Sequence, residues 1–260
     1  MKERAFDNEA SIYDSNFTNT GIGKAQRNQV WRLLDLISKE NSNNILEINC
    51  GTGEDAKYWV KRSVHYTGTD ISSQMIEVAR KKVPSAVFDT SGFEEVCSKN
   101  AKFDIIFSNF GGLNCVDYLT LTTTIQALSE KLNPGGKIIC VLMGRKCIWD
   151  NFFLLLKGKL KHIGRRNTDN PIKVNVANTD VNTWYYSPKQ IKKIKGVNSI
   201  KLNPIGLFVP PSYLSSYFDK RPKLLRFLNT MDRRFSFRFL SNFADHYYIE
   251  LEKSNLVECT

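Results

Sequence analysis

The chain has 260 residues, 42% of them apolar and 24% charged, with no apolar run long enough to cross a bilayer and no signal-like stretch in MKERAFDNEA. That leaves no candidate for a membrane-spanning helix and suits one large domain, or a domain with an insertion. The six cysteines include no C-x-x-C pair, so a reduced, cytoplasmic protein without a structural zinc site is expected.

Residues 26–37 repeat Val30, Leu33, Leu34 and Ile37 at helical spacing and predict a helix with one core face. Residues 45–56 read ILEINCGTGEDA, an apolar strand running through Gly51-Thr52-Gly53 into the opening of a helix. Such a turn offers backbone N–H groups and a positive helix end to a carboxylate or phosphate. Gly51, Gly53 and Ala56 loosely fit a dinucleotide fingerprint. Glu47, at the strand end ahead of the glycines, suits a ligand carrying an ammonium group.

A second strand at 64–69 ends on Asp70, whose carboxylate can accept hydrogen bonds from two ribose hydroxyls in either ligand class. Ser72 caps a helix at 73–82 with Met75, Ile76 and Ala79 inward. Residues 86–88 form a short third strand, followed by Asp89-Thr90-Ser91-Gly92, which also reads as a plain turn. A fourth strand at 103–107 leads into Asn109, Phe110, Gly111-Gly112 and Asn114. A helix at 118–131 stops at Pro134-Gly135-Gly136, and that turn opens a fifth strand.

The second half differs in character. Residues 145–240 hold 20 Lys and Arg against 5 Asp and Glu, whereas the rest of the chain holds 17 against 21. This basic stretch is either a solvated surface or a face that recruits an acidic substrate, a carrier or a membrane surface. Within it, 149–160 reads as an apolar helix interrupted by Gly158, 172–186 as a hairpin split at 177–180, and Ser187-Pro188 as a helix start. Residues 200–209 fit a sixth strand, and 243–252 (FADHYYIELE) a seventh.

The phrases FDxxAxxYD, LEINCGTGEDA, TGTDISSQMIEVARKK, FDIIFSN and L-x-P-G-G, in this order from residue 6 to 143, resemble the motifs of class I S-adenosylmethionine-dependent methyltransferases. Asn49 stands where that family carries its first glycine, and asparagine tolerates the positive φ of the turn. LEINCGTGEDA, SNFGGLNCV and ADHYYIELE look like the bacterial branch of the type-11, ubiquinone-biosynthesis-like group. The resemblance implies an α/β fold, a Rossmann-like doubly wound seven-stranded sheet with strand seven antiparallel and an α+β cap after strand five. The implied division is an arm and helix at 1–40, a cofactor-binding core at 41–144, a basic cap at 145–240 and the closing strand at 241–260.

It also implies S-adenosylmethionine as cofactor, without a metal. Glu47, Asn49, Cys50, Gly51 and Gly53 would lie at its amino-acid end, Asp70 at the ribose, and Asp89 and Thr90 at the adenine. Ile71, Met75, Asn109 and Phe110 complete the cofactor side. Asn114 and Tyr213 are substrate-side candidates, and Tyr13 would come near the sulfonium. Arg27 is expected at the surface, with the cofactor carboxylate as its alternative. Strand seven begins on the ligand edge, which makes His246 the general-base candidate among three histidines. The implied acceptor is a small or carrier-borne molecule, acidic or amphiphilic, with peripheral membrane contact open. The competing expectation is an RNA-binding methyltransferase or RNA-binding module, from basic residues interleaved with aromatics.

Overall fold

The computed structural model describes residues 5–37, 44–98, 100–176 and 179–254. The strands are β1 (Asn44–Ile48), β2 (His65–Asp70), β3 (Val87–Thr90), β4 (Phe103–Ser108), β5 (Leu132–Met143), β6 (Ile172–Val176), β7 (Thr179–Thr183), β8 (Val197–Ile205) and β9 (His246–Lys253). Seven of them form one sheet in the order β3-β2-β1-β4-β5-β9-β8, with β9 antiparallel to both neighbours. β6 and β7 form a separate antiparallel hairpin. Ala177 and Asn178, placed by the sequence at its turn, lie outside the described residues.

The helices are α1 (Ala5–Glu9), α2 (Gly21–Leu34), α3 (Ala56–Val60), α4 (Ser73–Lys82), α5 (Phe93–Ser98), α6 (Tyr118–Ser129), α7 (Ile148–Leu156), α8 (Pro188–Ile191), α9 (Ser215–Phe218) and α10 (Pro222–Arg234). Alternation along the central strands divides the core between the two faces of the sheet. Ile45, Ile105, Phe107 and Ile139 pack with Leu34 of α2, Trp59 of α3 and Ile76 of α4. Leu46, Ile106, Ile138 and Cys140 pack with Leu121 and Ile125 of α6 and Ile191 of α8. A parallel sheet buried on both faces is the Rossmann-like architecture the motifs imply.

Several boundaries differ from the sequence-based expectation. The Pro134-Gly135-Gly136 turn is an irregularity inside β5, where the pairing jumps from Phe103–Leu132 to Ile105–Lys137. The seventh α-helix ends at Leu156 because Gly158 takes a φ of +66°. The sixth sheet strand runs 197–205, not 200–209. Gly206 has φ +68° and leaves the ladder, and the amides of Leu207, Phe208 and Val209 all donate to the buried Asp232 carboxylate, each at 2.9 Å. β9 starts at His246 because Asp245 donates its amide to Gly206 instead.

Candidate functional site

The C-terminal ends of β1, β2 and β4 and the start of β9 open on one cavity of about 1110 Å³. The arm before α2 covers it from one side and the β6–β7 hairpin from another; Phe6, Tyr13, Phe17, Val174 and Val181 are among the wall residues. Polar contacts fasten the arm to the sheet edge. Ser72 Oγ donates to Asp7 at 2.5 Å, Thr52 Oγ1 donates to Asp14 at 2.7 Å, and Lys82 Nζ lies 2.6 Å from Asp14.

Glu47, Asn49, Cys50, Gly51, Asp70, Ile71, Met75, Asn109 and Phe110 all line this cavity, as do Tyr13, Tyr213 and His246. Asp70 is fixed at its base: Oδ2 accepts the Gly51 amide at 3.0 Å and Oδ1 the Ser72 amide at 2.9 Å. A carboxylate has further lone pairs to offer a ligand. Glu47 is 1% exposed and accepts from Tyr66 Oη at 2.6 Å. Burial pushes its pKa well above the usual carboxylate range, and the nearby Asp55 adds to the shift. Burial also pushes the Tyr13 phenol up to about 12, so it stays protonated at neutral pH.

The glycine turn departs from expectation. Asn49 does adopt positive φ, +55°, and its amide donates to Ser108 Oγ at 3.1 Å, joining the ends of β1 and β4. Three amides at the turn, however, are spent within the chain: Cys50 N–H goes to Thr69 O, Gly51 N–H to Asp70 and Gly53 N–H to Cys50 O. The following helix starts only at Ala56 and has five residues, too short to gather a strong N-terminal field. Gly53 faces away from the cavity, where a Cβ would stand 2.9 Å from Ala79 and 3.0 Å from Phe88. Its requirement is close packing together with a φ of +71°.

Four other residues lie elsewhere than the sequence suggests. Asn114 is fully buried off the cavity wall. It donates to Trp184 O at 2.6 Å and accepts the Met143 amide at 2.9 Å, so both ends of its amide brace the backbone. Asp89 and Thr90 close β3 beside the cavity, not on it; Ser91, which donates to Asp89 at 2.9 Å, is the wall residue there. Arg27 is not at the surface. It is 6% exposed, lines the cavity and donates to Asp55.

Asp55 organises that corner. Besides Arg27 it accepts from Trp31 Nε1 at 2.6 Å and from Asn109 Nδ2 at 2.9 Å. Two buried atoms of these wall residues, Arg27 Nε and Asn109 Oδ1, have no hydrogen-bond partner among the described residues. One unmet donor and one unmet acceptor beside Glu47 suit a ligand end carrying both a carboxylate and an ammonium group. Phe110 adopts a φ of +46°, uncommon for an aromatic residue, and its ring stands near-perpendicular to those of both Phe17 (5.2 Å) and His246 (5.3 Å).

His246 Nδ1 lies 3.1 Å from Asp245 Oδ2 without hydrogen-bond alignment, a contact that protonation of the ring would tighten. Burial opposes the Asp245 charge, but His246 and the Arg166 guanidinium, 3.0 Å away, hold its carboxyl well below the usual range. The other ring nitrogen, Nε2, remains for an acceptor. Arg165 braces this side through a two-point contact to the buried Asp150, at 2.9 and 2.7 Å, and Tyr213 donates to the same carboxylate at 3.2 Å.

A family model described as a methyltransferase domain matches residues 45–136. That segment is similar to a methyltransferase domain. Among curated relatives, the malonyl-[acyl-carrier protein] O-methyltransferase of Priestia megaterium (strain DSM 319 / IMG 1521) is 32% identical over 152 residues, 55% of this chain and 52% of that one. The dTDP-3-amino-3,4,6-trideoxy-alpha-D-glucopyranose N,N-dimethyltransferase of Streptomyces venezuelae is 26% identical over 136 residues, 50% of this chain and 55% of its own. The chain thus spans about half the length of the curated relatives it matches. A solved structure of DhpI in complex with SAH superposes with a TM-score of 0.61 over 96% of this chain and 94% of that one, at 13% identity, and shares the fold.

Residues 45–136 supply most of one side of the cavity, and the segments outside them supply the rest. Arg27, Asp55, Arg165, Arg166 and Tyr185 are wall residues that motif spacing does not reveal. Asp55 sits in the ILEINCGTGEDA phrase itself. Only its three buried donors, brought from α2 and the end of β4, distinguish it from a solvated helix-start acid.

Proposed function

We propose that this chain transfers the methyl group of S-adenosylmethionine to a small-molecule or carrier-borne acceptor, at oxygen or nitrogen. The observation that carries it is the single cavity into which Asp70, Glu47, the Arg27–Asp55–Asn109 corner and His246 all face. The cofactor, when bound, supplies an electrophilic methyl group on a sulfonium. Asp70 would accept the ribose hydroxyls. Arg27 and Asn109, each with an unmet buried polar atom, would take the carboxylate and ammonium of the amino-acid end, with Glu47 beside them. Ile71 and Met75 would flank the adenine, next to Ser91, Asp89 and Thr90.

Alignment of the acceptor behind the methyl is the main contribution of such a site, up to about 7–11 kcal/mol. Phe17, Phe110 and Tyr13 form the aromatic wall that would keep water out. His246, beside Asp245, would take a proton from the acceptor at Nε2, a service worth about 10²–10⁴-fold for a hydroxyl or amine and none for a carboxylate. Residues 145–240 are the acceptor-side cap in this proposal, and Tyr213, Arg165 and Arg166 face the acceptor there. The carrier and amino-sugar acceptors named for the relatives guide the choice of substrates, and the RNA alternative has only the basic charge in its favour.

The test is single-turnover transfer of labelled methyl from S-adenosylmethionine to a malonyl thioester on a carrier protein and to an amino-sugar nucleotide. Label on either supports the proposal. Cofactor binding with no transfer to these or to a wider panel of small acids, amines and phenols would count against an enzyme.

A further inference from the structure

The basic cap carries a feature that the cavity does not use. All nine residues from 155 to 163, LLKGKLKHI, are exposed, so this segment at the end of α7 faces solvent throughout. Leu155, Leu156, Leu160 and Ile163 are 52%, 70%, 61% and 44% exposed. Lys157, Lys159 and Lys161 alternate with them, and no acid occurs between Asp150 and Asp169. Both of those acids are already engaged, by Arg165 and Arg145. Exposed aliphatics in this density are not a solvated surface.

We propose that residues 155–163 insert into the interface of an anionic lipid membrane. A convex tip of aliphatic side chains ringed by lysines needs a partner offering hydrocarbon and negative charge in the same place, and a bilayer with acidic headgroups supplies both. An acidic carrier protein would answer the lysines but offers no apolar phase for a projecting tip. A second copy of this chain, also at +11, would set lysine against lysine. The tip is joined to the cavity mouth. Gly164 leads straight into Arg165 and Arg166 of the cavity wall, and Phe153 on the inner side of α7 packs 5.3 Å from the ring of Tyr213, another wall residue. Docking would therefore bring the mouth to the lipid surface, where an amphiphilic acceptor is concentrated. That last step rests on the methyl-transfer proposal, whereas the docking does not.

The test is sedimentation of the full chain with vesicles of phosphatidylcholine alone or mixed with phosphatidylglycerol, without cofactor or acceptor. Two variants accompany it, Leu156→Ser with Leu160→Ser, and Lys157→Gln with Lys159→Gln and Lys161→Gln. All these positions are exposed, so thermal melting should match the parent. The expected result is binding to the phosphatidylglycerol vesicles that weakens as salt rises, with affinity reduced about tenfold or more in each variant. The proposal is overturned if the parent ignores phosphatidylglycerol vesicles at low salt, or if both variants bind them equally well. It is also overturned if the leucine pair abolishes a concentration-dependent dimer or the capture of an acidic carrier protein while vesicle binding persists.

Discussion

Arg166 Nη1 lies 3.0 Å from Asp245 Oδ1, with both side chains buried, so one ion pair ties the segment after α7 to the residue preceding β9. That segment and the strand start that carries His246 are thereby joined. Arg166→Ala would leave the buried Asp245 beside Gln26, Cys147 and His246 without its guanidinium partner, at a cost of about 3–5 kcal/mol in stability. Urea unfolding measures it. A loss below about 1 kcal/mol would show that the pair does not join cap to core.

Glu47 gives a pH signature. Its folded-state pKa stands above the unfolded value, so the folded chain retains a proton that the unfolded chain has released. The resulting stabilisation is complete at pH values below the unfolded pKa and is lost as pH rises through the folded one. Glu47→Gln should not show that loss, so as pH rises above the ordinary carboxylate range its melting temperature should rise relative to the parent. Affinity for a ligand bearing an ammonium group should move oppositely in the parent, improving as Glu47 ionises, and stay flat in the variant. Parallel melting curves over that rise in pH would contradict the assignment.

His246→Ala separates binding from chemistry. S-adenosylhomocysteine affinity, read by calorimetry, should be unchanged, while transfer to a hydroxyl or amine slows by about 10²–10⁴-fold. An unaltered rate and pH profile with such an acceptor would remove His246 from the mechanism.

Asp70→Ala should weaken S-adenosylhomocysteine binding by about 1–3 kcal/mol through lost hydrogen bonds. It also frees the Gly51 and Ser72 amides, so a modest fall in melting temperature should accompany it. Asn114→Ala is the matched control, expected to destabilise the fold by freeing the Met143 amide while leaving the cofactor's affinity within about twofold.

The sheet was readable because its strands are short apolar runs bounded by glycine and aspartate, and each motif in the sequence sits at a strand end. Asp70, Asn109, Phe110 and His246 could be placed on one edge for that reason: strand direction alone carries them there. What spacing could not convey was how backbone donors and charges pair across the fold. The amides of Cys50, Gly51 and Gly53 are consumed by Thr69, Asp70 and Cys50, a local closure that the string GTG does not encode. Arg27 looks like any helix-surface arginine until Asp55, 28 residues later, is seen against it. Asn114 lies one turn past a motif yet serves Met143 and Trp184, the latter 70 residues away.

The most direct measurement is a crystal of the full chain soaked with S-adenosylhomocysteine. The nucleoside should lie in the cavity between the arm and β9, its ribose hydroxyls on the Asp70 carboxylate and its amino-acid end against Arg27, Glu47 and Asn109. Density for the ligand elsewhere, or an empty cavity at saturating ligand, would contradict the account.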